Sequence, residues 1–280
     1  MSSCAAHQAV NLHECLDLIT RLSRHAGKII KSRINQKKTI ETKATSIDFV
    51  TETDQEVEKL LIEGIKQKYP NHKFIGEESF AAGIKEKLTS APTWIIDPVD
   101  GTTNFVHSYP NVCISIGLAV GGEVKLGVIF NPVLDMFFRA IKGEGAFLND
   151  EPIKVSGVKN LSDALVAVEF GSSRDEDFRS IVAHNINYLA KHAHGIRAAG
   201  SAAWNLAQVA RGAIDLYVEM GIHAWDMAAG DIIIREAGGS VMDPAGKEFD
   251  LMKRRVLGSS SIEIANEVYP NLQQYYPEHD

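Results

Sequence analysis

WIIDPVDGTTNF, residues 94–105, changes character halfway along. Trp94, Ile95 and Ile96 read as a buried strand that Asp97 ends, which puts this carboxylate at a strand's C-terminal end, where open α/β sheets place their ligands. Pro98 rigidifies the turn that follows, and Asp100 can lie near Asp97 across it. Gly101 lets the backbone pass close to a ligand, and the N–H groups after it can face an anion. The segment is therefore able to serve a cation and a phosphate together. Taken alone, an Asp-Pro-x-Asp sequence is more often a capped turn, so the rest of the chain has to decide.

Around this stretch, HKFIG (72–76), VCISIGLAV (112–120), VKLGVIF (124–130) and DMFFRAIKG (135–143) are short, rich in β-branched and aromatic residues, and punctuated by Gly121-Gly122 and Asn131-Pro132. They read as strands, several of them antiparallel. Upstream, Leu12, Leu16, Ile19, Leu22, Ala26, Ile29 and Ile30 recur at helical spacing and predict a covering helix to about Ser32. A second helix is expected to open on the Ser/Thr-x-x-Glu box Thr53-Asp54-Gln55-Glu56, to continue through Val57, Leu60, Leu61 and Ile65, and to stop at Pro70-Asn71. After Asn160, strands and helices alternate: ALVAVEF (164–170), a helix near Asp177 to Ala190, a helix from Ser201, AIDLYVEM (213–220), a helix from Asp226, and VLGSS (256–260) before a last helix. The pattern is that of an α/β protein. Residues 1–280 are expected to form one unit made of two sheet-containing halves, with an internal boundary near 150–160 where no Pro- or Ser-rich linker intervenes.

Composition removes several function classes. The 280 residues are 45% hydrophobic, enough for a substantial core, and the balance of 29 basic against 36 acidic residues leaves −7 without a long block of either sign. No nucleic-acid face and no polybasic membrane patch is expected. Cys4, Cys15 and Cys113 are widely spaced and lack a CxxC pair, which fits reduced thiols and a cytoplasmic location. The opening MSSCAAHQAVNLHECL lacks the pattern of a secretory leader, no apolar run reaches the ~18 residues that span a bilayer, and no lipidation signal is present. His192 and His194 have no second pair at zinc spacing, Gly143 and Gly145 complete no dinucleotide fingerprint, and Ser172-Ser173 lack a nucleophile elbow.

What remains is acidic. Glu77 and Glu78 follow a strand and Gly76, and Asp226 opens an alanine-rich helix after Trp225. Each alone is an ordinary exposed glutamate or helix cap. Together with Asp97 and Asp100 they make an oxygen-only ligand set that suits Mg²⁺, which binds through few carboxylates plus substrate phosphate. If they converge, each pair ~4 Å apart repels by ~4 kcal/mol at an effective dielectric of 20, and divalent cations remove that conflict.

In order, GEES (76–79), WIIDPVDGTTNF (94–105) and WDMAAGDIIIREAGG (225–239) resemble the three motifs of the Mg²⁺-dependent, lithium-sensitive inositol monophosphatases, and VTETD (50–54) and EMGIHAWD (219–226) extend the likeness to roughly residues 12–265. The resemblance implies a layered α/β/α/β/α sandwich of the inositol monophosphatase and fructose bisphosphatase type, a homodimer, and hydrolysis of myo-inositol monophosphates with two or three Mg²⁺ ions per site. It implies that Glu77, Asp97 and the Val99 carbonyl bind one ion, with Thr102 near its water, and that Asp97, Asp100 and Asp226 bind another. Asp54 and Thr102 would orient the attacking water, with Glu77 beside them in the catalytic set, and the N–H groups of Gly101 and Thr102 would hold phosphate oxygens. Lys43 matches a family lysine. Val99 stands where isoleucine is commoner, which leaves a main-chain ligand unaffected.

On the substrate side, Glu219 can accept hydrogen bonds from vicinal hydroxyls, and Gly200, Ser201 and Ala202 begin a helix with free N–H donors, alongside Asp100 and Asp226. Without the resemblance, Glu219 reads more readily as a strand-end surface charge and Ser201 as an N-cap. The alternative enzyme is a related phosphatase acting on a phosphorylated nucleotide or a sugar bisphosphate. A catalytically silent metal-binding protein would lack a carboxylate at 77, 97, 100 or 226, and none is lacking.

Overall fold

The computed structural model describes residues 10–37, 40–42 and 49–280. Its first half runs α1 (Leu12–Arg33), β1 (Ile40–Thr42), β2 (Phe49–Thr51), α2 (Glu52–Lys68), β3 (Lys73–Gly76), α3 (Glu77–Ala81), β4 (Thr93–Asp100), α4 (Thr102–Val106), β5 (Cys113–Val120), β6 (Glu123–Asn131), β7 (Met136–Ile141), β8 (Ala146–Leu148) and β9 (Glu151–Ile153). There follow β10 (Leu165–Val168), α5 (Glu176–His192), β11 (Gly195–Arg197), α6 (Ala202–Ala210), β12 (Leu216–Met220), α7 (Ala224–Glu236), β13 (Ser240–Met242), β14 (Arg255–Ser259) and α8 (Ile262–Val268).

The runs rich in β-branched and aromatic residues make a seven-stranded sheet in simple sequential order from β3 to β9, antiparallel except for the parallel pair β3 and β4. The alternating half makes a five-stranded mixed sheet in the order β11-β10-β12-β14-β13. Helices fill the layers around them. Cys15, Ile19, Ala26 and Ile30 of α1 and Val57, Leu61 and Ile65 of α2 bury one face of the seven-stranded sheet through Trp94, Ile96 and Val128. The opposite face, with Ile95 and Ile129, packs on α6 and α7, whose Leu206, Met227 and Ile233 also meet Tyr217 and Val256 of the five-stranded sheet. Leu189 of α5 and Ile264 and Val268 of α8 close its far side. The order is helix, sheet, helix, sheet, helix, as the motifs imply. α7 lies so close on the first sheet that a Cβ at Gly117 would stand 2.7 Å from the Ala228 Cβ.

Local details at β4, α2 and α7 differ from expectation, and they shape the site. Asp97 does not end β4. The strand continues to Asp100 through a bulge, in which Asp97 pairs with Ser115 and Asp100 with Cys113, three steps on β4 against two on β5. In a regular strand residues 97 and 99 would share a face and 100 would point the other way. The extra residue inverts that parity: Val99 packs with the α1–α2 layer, while Asp97 and Asp100 fall on the face toward α7. Pro98, with no N–H to give the ladder, sits at the irregularity where it costs least.

The second difference is the start of α2. The capping box is Thr51 with Asp54, two residues before the expected Thr53 to Glu56, and α2 begins at Glu52. Thr51, in extended conformation at φ −119°, offers its N–H and hydroxyl to Asp54, which the Thr53 position cannot do from inside the helix. Likewise α7 begins at Ala224, two residues before the expected start at Asp226, so Asp226 lies within its first turn.

Candidate active site

The C-terminal end of β4, the start of α4, the end of β12 and the starts of α6 and α7 converge on one cleft of about 1120 Å³. Asp97, Asp100 and Asp226 meet there with one carboxylate oxygen from each inside a 4.8 Å group. Every one of them is pinned by a single oxygen. Asp97 Oδ1 accepts from the Val99 N–H at 2.9 Å, Asp100 Oδ2 from the Ser201 hydroxyl at 2.7 Å and the Ala203 N–H at 2.6 Å, and Asp226 Oδ2 from the His223 N–H at 2.6 Å. Asp100 also joins the two halves, since it leaves β4 and accepts the first turn of α6.

Electrostatics matches the geometry. Burial, then Glu77, then Asp100 and Asp226, raise the Asp97 carboxyl well above its ordinary range. Burial and the Asp100 charge do the same to Asp226, against the His223 N–H. Asp100 is raised to about 6, chiefly by burial, with the Ser201 and Ala203 donors opposing. These three carboxyl groups take no ammonium or guanidinium as hydrogen-bond partner among the described residues, so their ionised forms are disfavoured until a cation arrives. A hard, oxygen-preferring cation fits this donor set: oxygen-only, pre-positioned and without a basic hydrogen-bond partner among the described residues.

Glu77, first residue of α3, lines the same cleft outside that tight group and close enough to raise Asp97. Asp54 is fully buried and raised to about 6, mainly by desolvation. Its Oδ2 holds Thr51, while its Oδ1 lies 3.0 Å from the Thr102 hydroxyl, which is also 3.0 Å from the Val99 carbonyl. Gly101 caps α4 at φ +90°, where a side chain is strained and a Cβ would meet the Asn111 carbonyl at 2.8 Å. The N–H groups that open α4 have no partner within the helix.

Glu219 sits at the end of β12, buried and pushed well above its ordinary pKa by burial and then by Glu169; the Tyr217 hydroxyl donates to its Oε2. That placement excludes the surface-charge reading. Gly200, Ser201 and Ala202 line the cleft, and the Ser201 hydroxyl, which donates to Asp100, is not free for a sugar. Lys43 lies outside the described residues.

Three supporting side chains escaped the sequence reading. Glu58 of α2 accepts from the N–H groups of Glu78 and Ser79, each at 2.8 Å, and so sets the turn that carries Glu77. Glu169 Oε1 accepts from the Ala199 and Gly200 N–H groups and from the Asn205 side chain at 2.7–2.8 Å. Asn104 Nδ2 donates to the Asn111 and Ala199 carbonyls at 2.8 and 2.7 Å, tying the two halves beside the cleft. Only Glu58 left a signal, an acid four residues after Asp54 in the buried stripe of α2.

The chain matches the inositol monophosphatase family over residues 11–276. It is 46% identical over 261 residues to inositol monophosphatase 1 of Rattus norvegicus, covering 93% of this chain and 94% of that one. It is 43% identical over 270 residues to inositol monophosphatase 2 of Homo sapiens, covering 96% and 94%. Among solved structures, a Thermotoga maritima IMPase superposes with a TM-score of 0.83 at 36% identity, over 92% of this chain and 96% of that one.

Proposed function

The chain belongs to the inositol monophosphatase family and hydrolyses inositol phosphates, and we propose that it does so with Mg²⁺ held by the carboxylates of this cleft. The observation that carries the proposal is the buried, one-oxygen-anchored trio Asp97, Asp100 and Asp226. Glu77, Asp97 and the Val99 carbonyl would hold one ion, and Asp97, Asp100 and Asp226 another. When bound, the ions supply positive charge that offsets both the carboxylates and the phosphate dianion, and they acidify water at neutral pH.

The protein's own groups do the positioning. Thr102 has a single hydroxyl proton, and giving it to Asp54 leaves a Thr102 lone pair to orient the attacking water and leaves both Val99 lone pairs for a cation. Gly101 and Thr102 present N–H groups to the phosphate oxygens from the start of α4. Glu219, with Tyr217 holding one oxygen, presents the other to ring hydroxyls, and Gly200 and Ala202 bound the same side. The site draws on both halves, so the two halves, divided near residues 150–160, would act as one catalytic unit. We further propose a homodimer that works in the cytoplasm on small phosphate monoesters, without nucleic-acid or membrane partners; among the described residues no helix is long and apolar enough to cross a membrane.

A panel of phosphate monoesters assayed with and without Mg²⁺ tests this reading. Inositol monophosphates should be turned over best and only with the cation. Preference for a nucleotide monophosphate or a sugar bisphosphate would transfer the substrate assignment, and turnover in a chelator would reject the metal.

A further inference from the structure

The segment after α8 brings a carboxylate to the first turn of the helix that carries Asp226. Residues 273–280 are laid down by specific bonds: Gln273 exchanges two with the Asn185 side chain at 2.8 and 2.9 Å, Arg255 donates to the Tyr275 carbonyl at 2.6 Å, and the Asp280 N–H donates to the Met252 carbonyl at 3.1 Å. The Tyr275 ring meets Phe178 edge-on at 4.7 Å. The Asp280 side chain is 3% exposed. Its Oδ2 accepts the Ala224 N–H at 2.8 Å, and its Oδ1 lies 2.5 Å from His223 Nδ1 and 3.7 Å from Arg254 Nε. Arg254 also donates to the Gly221 and Ile222 carbonyls at 2.8 and 3.1 Å, closing the turn before α7.

The start of α7 is thus gripped by two carboxylates at adjacent amides. Asp226 takes the His223 N–H from inside the site, and Asp280 takes the Ala224 N–H from behind it. The His223 ring, held by Asp280, stacks on Trp225 at 4.4 Å. His223 and Arg254 line the cleft, and Asp280 is not among its lining residues, so any effect of Asp280 on the reaction runs through its neighbours. An anion buried at a helix N-terminus, satisfied on both oxygens, fixes that turn far more firmly than a solvated loop would.

We propose that Asp280 is a positioning residue for the metal site: by holding Ala224 and His223 it sets the first turn of α7, and through the His223 N–H it sets the Asp226 carboxylate. The proposal rests on the reading of Asp226 as a cation ligand.

The test is Mn²⁺ binding to the metal-free full-length chain, followed by electron paramagnetic resonance and calorimetry, for wild type, Asp280→Ala, Asp280→Asn and Asp226→Asn, with circular dichroism to establish folding. Asp280→Ala should weaken Mn²⁺ binding about tenfold, as loss of a group that orients a metal ligand commonly does, and Asp280→Asn, which keeps an oxygen for the Ala224 N–H, by about threefold. At saturating cation kcat should return to within about twofold of wild type, because no reacting group has been removed. A folded Asp280→Ala variant with unchanged Mn²⁺ affinity overturns the proposal, whatever its melting temperature. If that variant does not fold, Asp280→Asn decides by the same criterion. Should Asp226→Asn bind Mn²⁺ as wild type does, the fault lies in the ligand assignment of Asp226 and not in the segment behind it.

Discussion

Thr102 must choose between two acceptors, Asp54 Oδ1 and the Val99 carbonyl, each 3.0 Å away. Removing the hydroxyl by Thr102→Ala should lower kcat on the order of 10²-fold or more with KM little changed, and Thr102→Ser should recover much of it, since the contribution is orientation of the nucleophile. Steady-state kinetics on both variants checks this. Asp100→Asn keeps an oxygen for Ser201 and Ala203 but loses the charge. The fold should survive, while turnover falls on the order of 10²-fold or more even at high Mg²⁺, the scale of losing one transition-state charge stabiliser. Near-normal kcat would reject Asp100 as a ligand. Glu219→Gln should slow inositol phosphate hydrolysis more than hydrolysis of an ester without a polyol ring, by about the ~1.5–3 kcal/mol of a hydrogen bond to a charged acceptor. Equal losses on the two esters would move Glu219 from substrate binding to support of the site.

At the scale of elements, the bulge in β4 and the positive-φ glycine after it decide which groups face the cleft. Gly101→Ala forces a Cβ into a left-handed position and against the Asn111 carbonyl, 2.8 Å away. A cost of about 1–3 kcal/mol is expected, read as a melting temperature lower by roughly 2–10 °C, together with weaker phosphate affinity. Inorganic phosphate inhibition separates the two effects. The elements themselves were largely legible: α1, α2, the sequential strands and the alternating second half follow from period and composition, and the order of layers follows from the motif resemblance. The parity inversion at residues 97–100 was not, because Pro98 signals a turn and a bulge equally well, and only pairing with Ser115 and Cys113 separates them. The true cap of α2 was missed because Thr51 and Thr53 both precede an acid by three residues, and only the extended backbone at Thr51 selects between them. Glu169, Asn104 and Asp280 were invisible for a different reason: each acts on a loop or helix start 30 or more residues from it, or in Asn104's case on Ala199, 95 residues away, and no local pattern records such a partner.

Across the whole molecule the buried acids make stability depend on pH in an unusual direction. Asp54 and Asp100 titrate near 6 in the folded protein, and Asp97, Asp226 and Glu219 are raised well above their ordinary range, all chiefly by burial. Unfolded, the aspartates return to about 4. The folded state therefore binds more protons than the unfolded one above about pH 4, and stability from these groups is present at lower pH and lost as pH rises to about 6 and beyond. Metal-free protein should melt at progressively lower temperature between pH 5 and pH 7, and Mg²⁺ should raise the melting temperature more at pH 7 than at pH 5. Calorimetric scans with a chelator and with the cation check both slopes. The single-oxygen anchors on Asp97, Asp100 and Asp226 carry this further. Side chains tethered in this way need not swing in when a cation arrives, so loading is an exchange of particles in a standing frame, protons out and metal in. The protein then behaves toward its surroundings as an acid: an unbuffered solution at neutral pH should acidify on addition of Mg²⁺. Asp100→Asn should release fewer.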